Sequence, residues 1–414
     1  MRGAEGREVR DLLWQNIRLE PAAARVVDTP AFQRLRYVRQ LGHAFLVYPG
    51  ATHSRFEHAL GAYHLACRAL ARLGERGDLA GLGAEDTLLI RLGALLHDIG
   101  HYPFSHALEE EGFASHEALA DAHLAREPLA GALAAAGIPD AAARLGALIR
   151  GTSGHPLAGL ISGSLDLDKI DYLKRDALMC GVPYGEIDVD RLLACLAVVG
   201  SEGARAVGVL EKGLSALESL LFAKYQMYRN VYWHHAVRGA TAMFRRLVRE
   251  AAAAGALDAA RLPGATDDAL MHDLAATDRT GLAAALRERR LHKRALELAP
   301  ADLPAPVPAF VWADARRLAR AEDALAARLG LAPGALLVDY PHKPAMLGLD
   351  LPIVRQDGRV GRLGEGGWPG RMDLPRLGGD LAESARRLRV FTAPRARVRA
   401  EDLFDVLDAE VRAG

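Results

Sequence analysis

Between residues 95 and 116 the chain places His97, Asp98, His101, His106, Glu109 and His116, with Gly100 and Pro103 breaking the run. Imidazoles and carboxylates together suit a divalent transition ion (manganese, iron, nickel, cobalt or zinc) better than magnesium, which prefers oxygen and water. Such an ion acts as a Lewis acid on a phosphoryl oxygen and lowers the pKa of water. His97-Asp98 ends a leucine-rich stretch that should be buried, where an unpaired charge is costly. A set of hydrogen-bonded buried histidines is the alternative for this cluster taken alone. A His-Asp pair by itself means little in a chain with 15 histidines, and His272-Asp273, without such neighbours, reads as a solvated helix face.

Two other segments carry residues of the same types. Residues 50–61, GATHSRFEHALG, set His58 three positions after Arg55. Residues 164–176, SLDLDKIDYLKRD, pack Asp166, Asp168, Asp171 and Asp176 with Lys169, Tyr172 and Arg175. A well-solvated amphipathic helix is the plain reading of that last segment in isolation.

The elements that must position these residues read mostly as helices. Residues 31–41 space Phe32, Leu35, Val38 and Leu41 as one helix, with Asp28 or Thr29 to cap it. FLVYPG reads as a short extended piece turning at Pro49-Gly50. Residues 56–73, 85–98 and 104–110 read as helices, as does a long amphipathic stretch from 213 to 254. Past an Ala-rich, proline-dotted boundary at 255–305, strand-like runs follow: PAFVWAD, GALLVDYP, LPIVRQ and RVGRL around an Asp357-Gly358 hairpin, and LRVFTAP.

Three strings, DTPAFQRLRYVRQLGHAFLVYPGATHSRFEHALGAYHLA, LLHDIGHYPFSHALE and LDLDKIDYLKRD, occur in that order. With them the chain resembles the HD phosphohydrolases over residues 19–240, in particular the deoxynucleoside triphosphate triphosphohydrolase branch of SAMHD-type enzymes and bacterial dGTPases. The resemblance implies a mainly α fold: an HD helical core at 1–250, then a helical linker and smaller α+β region at 251–414. It implies one divalent transition metal held by His58, His97, Asp98 and Asp168, with an optional magnesium on the substrate phosphates. His106 and Glu109 resemble the catalytic pair, with His101 and His116 lining the phosphates. Arg55, Lys169 and Lys224 would neutralise a polyphosphate. Tyr172, Asp176 and Tyr232 would hold the sugar, and Gln40 and Leu41 the base.

Two departures stand out. The family's Asp-Pro-Ile-His-Gly-like effector motif is absent from RDLLWQNIRLEP (residues 10–21), although Asp28, Gln33 and Arg36 match neighbouring positions. The C-terminal region does not resemble the mammalian enzyme; Lys343 is a candidate ligand residue there, with a turn lysine as the alternative.

Lysine plus arginine and aspartate plus glutamate both total 52, so the net charge is zero and nucleic acid is not expected as the main partner. Three unpatterned cysteines offer neither a disulfide framework nor a zinc knuckle. No leader or membrane span is read, and a cytoplasmic homo-oligomer acting on a nucleotide is expected. The expected reaction cuts a dNTP to deoxynucleoside and triphosphate. A phosphatase or phosphodiesterase on another ester, or a nucleotide-binding regulator without turnover, are the alternatives.

Overall fold

A capping box opens the helix on which the fold turns. Ser54 N–H donates to Glu57 Oε2 over 2.8 Å, and the helix Arg55–Glu75 buries Phe56, Ala59, Leu60, Tyr63, Ala66, Leu70 and Leu73 along one side. In the computed structural model, which describes residues 6–200, 205–341, 346–365 and 373–413, this His58 helix packs against two others. One is the leucine helix Ala84–Leu96, the other the aspartate helix Leu167–Cys180, whose N-cap Asp166 accepts from Lys169 N–H at 3.0 Å. Their apolar faces share one core with the helix Leu214–Met227.

Nine strands form three small sheets among the described residues. Strands β1 (Arg7–Asp11) and β2 (Gln15–Leu19) make an antiparallel hairpin. Strands β3 (Leu196–Val199) and β4 (Ala206–Leu210) are joined by β7 (Pro352–Val354) and β8 (Val360–Arg362), with β4 and β7 parallel at Val209–Ile353. The chain past residue 346 thus returns to the first core, where Leu351, Ile353 and Leu363 are buried. The third sheet, β5 (Lys293–Leu298), β9 (Leu388–Thr392) and β6 (Leu336–Asp339), is antiparallel throughout. Alternate residues face opposite ways. Leu336, Val338, Leu388 and Val390 meet the helices Ala315–Arg328 and Ala400–Ala413, while Leu337 and Phe391 meet a long helix, His235–Ala253.

The chain is mainly α, with strands concentrated in its C-terminal part, and several local expectations are corrected. Residues 31–41 do not make one helix: a turn of α-helix, Pro30–Gln33, passes into 3₁₀ at Arg34–Tyr37, and Arg39 then bridges to Ser54. Tertiary pairing overrides the helical spacing there. FLVYPG is not extended; Gly42–Leu46 is a 3₁₀ helix, though the turn at Pro49-Gly50 is as expected. Residues 104–110 are two 3₁₀ turns, Ser105–Ala107 and Glu109–Glu111, rather than a helix. The stretch 213–254 is broken by a π turn at Tyr228–Tyr232. PAFVWAD is helical at Phe310–Ala313, not a strand. The hairpin β1–β2 and strands β3 and β4 lie in a part read as helical, because four- and five-residue strands are too short for periodicity to register. His272 and Asp273 are exposed on the helix Asp267–Thr277.

Candidate metal centre and catalytic pocket

His58 lies in the first turn of its helix and His97 just past the leucine helix, so each imidazole is delivered by a rigid element. The Nδ1 of His58 is 2.8 Å from Asp171 Oδ2, and the Nδ1 of His97 is 2.9 Å from the Ala94 carbonyl. Both acceptors require the proton on Nδ1, which leaves a lone pair on each Nε2. Those two Nε2 atoms are 3.1 Å apart. Asp168 Oδ1 is 2.8 Å from His58 Nε2 and 3.5 Å from His97 Nε2. Asp98 closes the group, Oδ1 3.3 Å from His97 Nε2 and Oδ2 3.8 Å from His58 Nε2. The donors of His58, His97 and Asp168 all lie within 4.8 Å of one another, with Asp98 at the edge of the group, and such donors repel unless a positive charge sits between them.

The same demand for positive charge governs the titration of the group, in which a proton on His58 Nε2 can take the place of an ion. Burial opposes a charge on His58, yet the hydrogen bonds and charges of Asp168 and Asp171 outweigh it and push the pKa up to about 10. Burial also works against Asp98 and Asp168, and Arg55 with His97 and His101 for the one, His58 with His97 for the other, hold both carboxyls well below the usual range. Ligands ~2.0–2.2 Å from a common ion lie ~3 Å from one another, so these separations fit a divalent ion.

An outer shell holds the ligands. Asp171 receives Arg175 Nε and Nη2, both at 2.9 Å, and Trp14 Nε1 at 2.5 Å. Arg175 Nη1 then reaches Asp11 at 2.8 Å, so the hairpin β1–β2 buttresses His58 from across the core. Gly61 makes room for this: a Cβ there would lie 1.9 Å from Asp171 Oδ1. Asp98 is held from the other side by the Arg55 guanidinium and by His101 Nε2 at 3.2 Å.

Beside the metal centre is a turn of different construction. His106 Nδ1 is 2.7 Å from Glu109 Oε2, and His116 Nδ1 is 2.8 Å from Glu109 Oε1. Residues three apart nearly eclipse in 3₁₀ geometry, so the His106–Glu109 pair forms without an α-helix. The His101 ring stacks on His116 with centroids 3.7 Å apart, and His106 stands edge-on to both. Burial would raise Glu109, but hydrogen bonds from His106 and His116 keep it far below the glutamate range. Burial and Arg55 keep His101 neutral. The His106 side chain is 48% exposed, in contrast to the fully buried His58. Its approach is set by Phe104, held at φ 57° with its N–H 2.8 Å from Asp267 Oδ1 and its ring stacked on His43.

Both groups open on one cavity of about 910 Å³. Gln40, Leu41, Arg55, His97, Asp98, His101, His106, His116, Asp168, Lys169, Tyr172, Asp176, Lys224 and Tyr232 line it, while His58 and Glu109 stand behind the wall. Several expected substrate contacts are already engaged, Arg55 with Asp98 among them. The Lys169 ammonium is held by the Asp166 carboxylate and by the Gly163 carbonyl at 3.0 Å. Asp176 is 2.8 Å from His53 Nε2 through Oδ1 and accepts from the Tyr232 hydroxyl at 2.6 Å through Oδ2, so its first role is to fix these two. Of the residues matching the effector region, Asp28 pairs with Arg7, and Arg36 donates to Gln33 at 2.8 Å. Lys343 lies outside the described residues. Sequence reasoning missed the roles of Asp171, His53 and Arg238, the last of which also lines the cavity. Asp171 had a signal, three positions after Asp168 and four before Arg175; His53 and Arg238 had none.

Residues 55–175 match the HD domain family and residues 187–366 the HD associated region. An uncharacterized protein of Methanocaldococcus jannaschii is 36% identical over 296 residues, 71% of this chain and 60% of the relative. An uncharacterized protein of Bacillus subtilis is 32% identical over 55% of this chain and 51% of its own length. The human deoxynucleoside triphosphate triphosphohydrolase SAMHD1 is 44% identical over 101 residues, 24% of this chain and 16% of that enzyme. The chain therefore spans little more than half the length of these curated relatives, or less. Among solved structures, a phosphohydrolase of Bacteroides thetaiotaomicron superposes with a TM-score of 0.72 at 22% identity, covering 94% of this chain and 100% of that one, a likeness of fold alone. A hypothetical protein of Aquifex aeolicus gives 0.72 at 26% identity, covering 98% of this chain and 100% of that one.

Proposed function

We propose that this chain, which belongs to the HD-domain phosphohydrolase superfamily, is a metal-dependent nucleotide phosphohydrolase that cleaves a deoxynucleoside triphosphate to deoxynucleoside and triphosphate. The observation that carries the reading is the pair of Nε2 atoms of His58 and His97, 3.1 Å apart, facing Asp168 and Asp98 at the floor of the large cavity, with the His106–Glu109 pair at its rim. His58, His97, Asp98 and Asp168 would hold one divalent ion. Such an ion supplies Lewis-acid polarisation of a phosphoryl oxygen and a nucleophile at neutral pH.

The chain's own groups do the rest. Glu109 fixes the His106 proton on Nδ1, so His106 Nε2 exchanges protons with a leaving oxygen as general acid and base. His101, kept neutral, gives its one N–H to Asp98 and supports the stacked His116 ring, which stands at the cavity wall where phosphate oxygens would lie. Arg55 and Lys224 bring positive charge to the wall where negative charge develops. Tyr172, edge-on to Tyr232 with centroids 6.3 Å apart, would give a deoxyribose an aromatic corner to rest against. No helix among the described residues is long and apolar enough to cross a membrane.

One observation favours a second reading. Arg55 is paired with Asp98 and Lys169 with Asp166, so less free positive charge faces the cavity than a polyphosphate would use. A phosphatase or phosphodiesterase on a smaller ester fits that balance. Chromatographic product analysis of the manganese-loaded chain against nucleoside mono-, di- and triphosphates separates the two. Inorganic triphosphate as first product from a dNTP supports the first reading; orthophosphate from a monophosphate, with triphosphates untouched, promotes the second.

A further inference from the structure

The catalytic turn is fastened from behind by a row of buried arginines. On the helix His235–Ala253, Arg238, Arg245 and Arg249 follow at i, i+7 and i+11, which sets them along one face. Arg238 grips Glu110 with two bonds of 3.1 and 3.0 Å, and Arg245 Nη1 meets the same carboxylate at 3.0 Å. Arg249 grips Glu111 with bonds of 2.6 and 3.0 Å, and Arg245 Nε also reaches Glu111. Glu110 and Glu111 directly follow Glu109, the residue that holds both His106 and His116. The arginines are themselves tied to the C-terminal region. Arg238 bonds Asp339 at 3.0 and 2.5 Å, and Arg249 bonds Glu322 at 3.2 Å. Glu322 in turn accepts from Val338 N–H at 3.0 Å, so strand β6 anchors the far end.

All three arginines, Asp339 and Glu322 are buried. A buried charge that loses its partner does not stay where it is; it moves toward water or another partner. A 3₁₀ turn has weak internal hydrogen bonds and cannot hold its own place. Charges on both sides of the ladder therefore lock the turn to a rigid helix, and that helix to the β5–β9–β6 sheet.

We propose that Arg238, Arg245 and Arg249 are positioning residues that aim the His106–Glu109–His116 group through Glu110 and Glu111, and that Asp339 and Glu322 of the C-terminal region set the aim of those arginines. This rests on the phosphohydrolase reading for its kinetic consequence, but not for its structural one.

The test uses the full-length, manganese-loaded chain and two readouts. In hydrogen-exchange mass spectrometry, Arg245→Met and Asp339→Asn should speed exchange across residues 105–112 at least tenfold, leaving residues 55–75 unchanged. In kinetics, Arg245→Met should lower kcat at least tenfold with KM and bound manganese within twofold, and Arg245→Lys should recover part of the loss. In a Glu109→Gln background, Arg245→Met should cost less than twofold, because its route of action is gone. Unchanged exchange at 105–112 in both Arg245→Met and Asp339→Asn overturns the proposal whether or not turnover is found. So does a full, additive loss in the Glu109→Gln background. Absence of turnover by the parent chain on every phosphate ester sinks the phosphohydrolase reading instead, and the exchange result still decides the ladder.

Discussion

The candidate metal centre and the candidate catalytic turn use the same residue types a few ångströms apart and are built in opposite ways. His58 is fully buried on a helix, oriented by Asp171, Arg175, Asp11 and Trp14 in succession. His106 sits in a 3₁₀ turn, half open to the cavity, oriented by Glu109 and by ion pairs further back. Fixed donors suit an ion, whose ligands must hold separation and tautomer. A group that moves protons instead needs access to substrate and water. Burial and depth of support, more than residue type, divide the two roles.

Removing ligands puts that division under the greatest load. His97→Ala with Asp98→Ala should abolish both bound manganese, measured by elemental analysis, and turnover; retention of a stoichiometric ion would place the centre elsewhere. His106→Ala should keep the ion and lose a factor of ~10²–10⁴ in rate. A loss under about threefold would make His106 structural, and a parallel loss of the ion would make it a ligand, erasing the contrast. Asp171→Asn tests the depth of support: it should weaken metal affinity ~10–100-fold, measured by chelator competition, with a smaller effect on the rate at saturating ion. Gly61→Ala should do the same, since its methyl would displace the Asp171 carboxylate.

The smallest effect concerns the turn's anchor. Burial would raise Glu110, but Arg238 and Arg245 lower it from an ordinary 4.5 to about 2. A carboxyl whose folded pKa is depressed contributes stability above its unfolded pKa, and that contribution is lost as pH falls through the folded value. With 34% of the side chain exposed, solvent screens part of the interaction. Urea midpoints of parent and Glu110→Gln should therefore differ at pH 7, and the gap should narrow between pH ~4.5 and ~2. A gap that widens on acidification would show that Glu110 is not held as its ionised form.

Much of this architecture is legible in the sequence, and for local reasons. The helices of His58 and His97 declare themselves through apolar spacing, and that of Asp168 through its amphipathic run. The His106–Glu109 contact needs only an offset of three, which survives the change from α to 3₁₀. The expected helix at 31–41 and strand at 308–314 failed because neighbours from far along the chain, Ser54 for one and the β6 face for the other, decide those conformations.

Residue types, their order and the pairs formed within a helical turn are properties of the chain alone, because they depend on neighbours three or four positions away. Which charge meets which is settled by the folded arrangement. It sent Asp176 to His53 and Tyr232, Arg175 to Asp11, and the arginines of one helix to Glu110, Glu111, Asp339 and Glu322. A charge has no period and no direction along a chain; it takes the partner that burial brings within a few ångströms, and that distance is set only when the core closes.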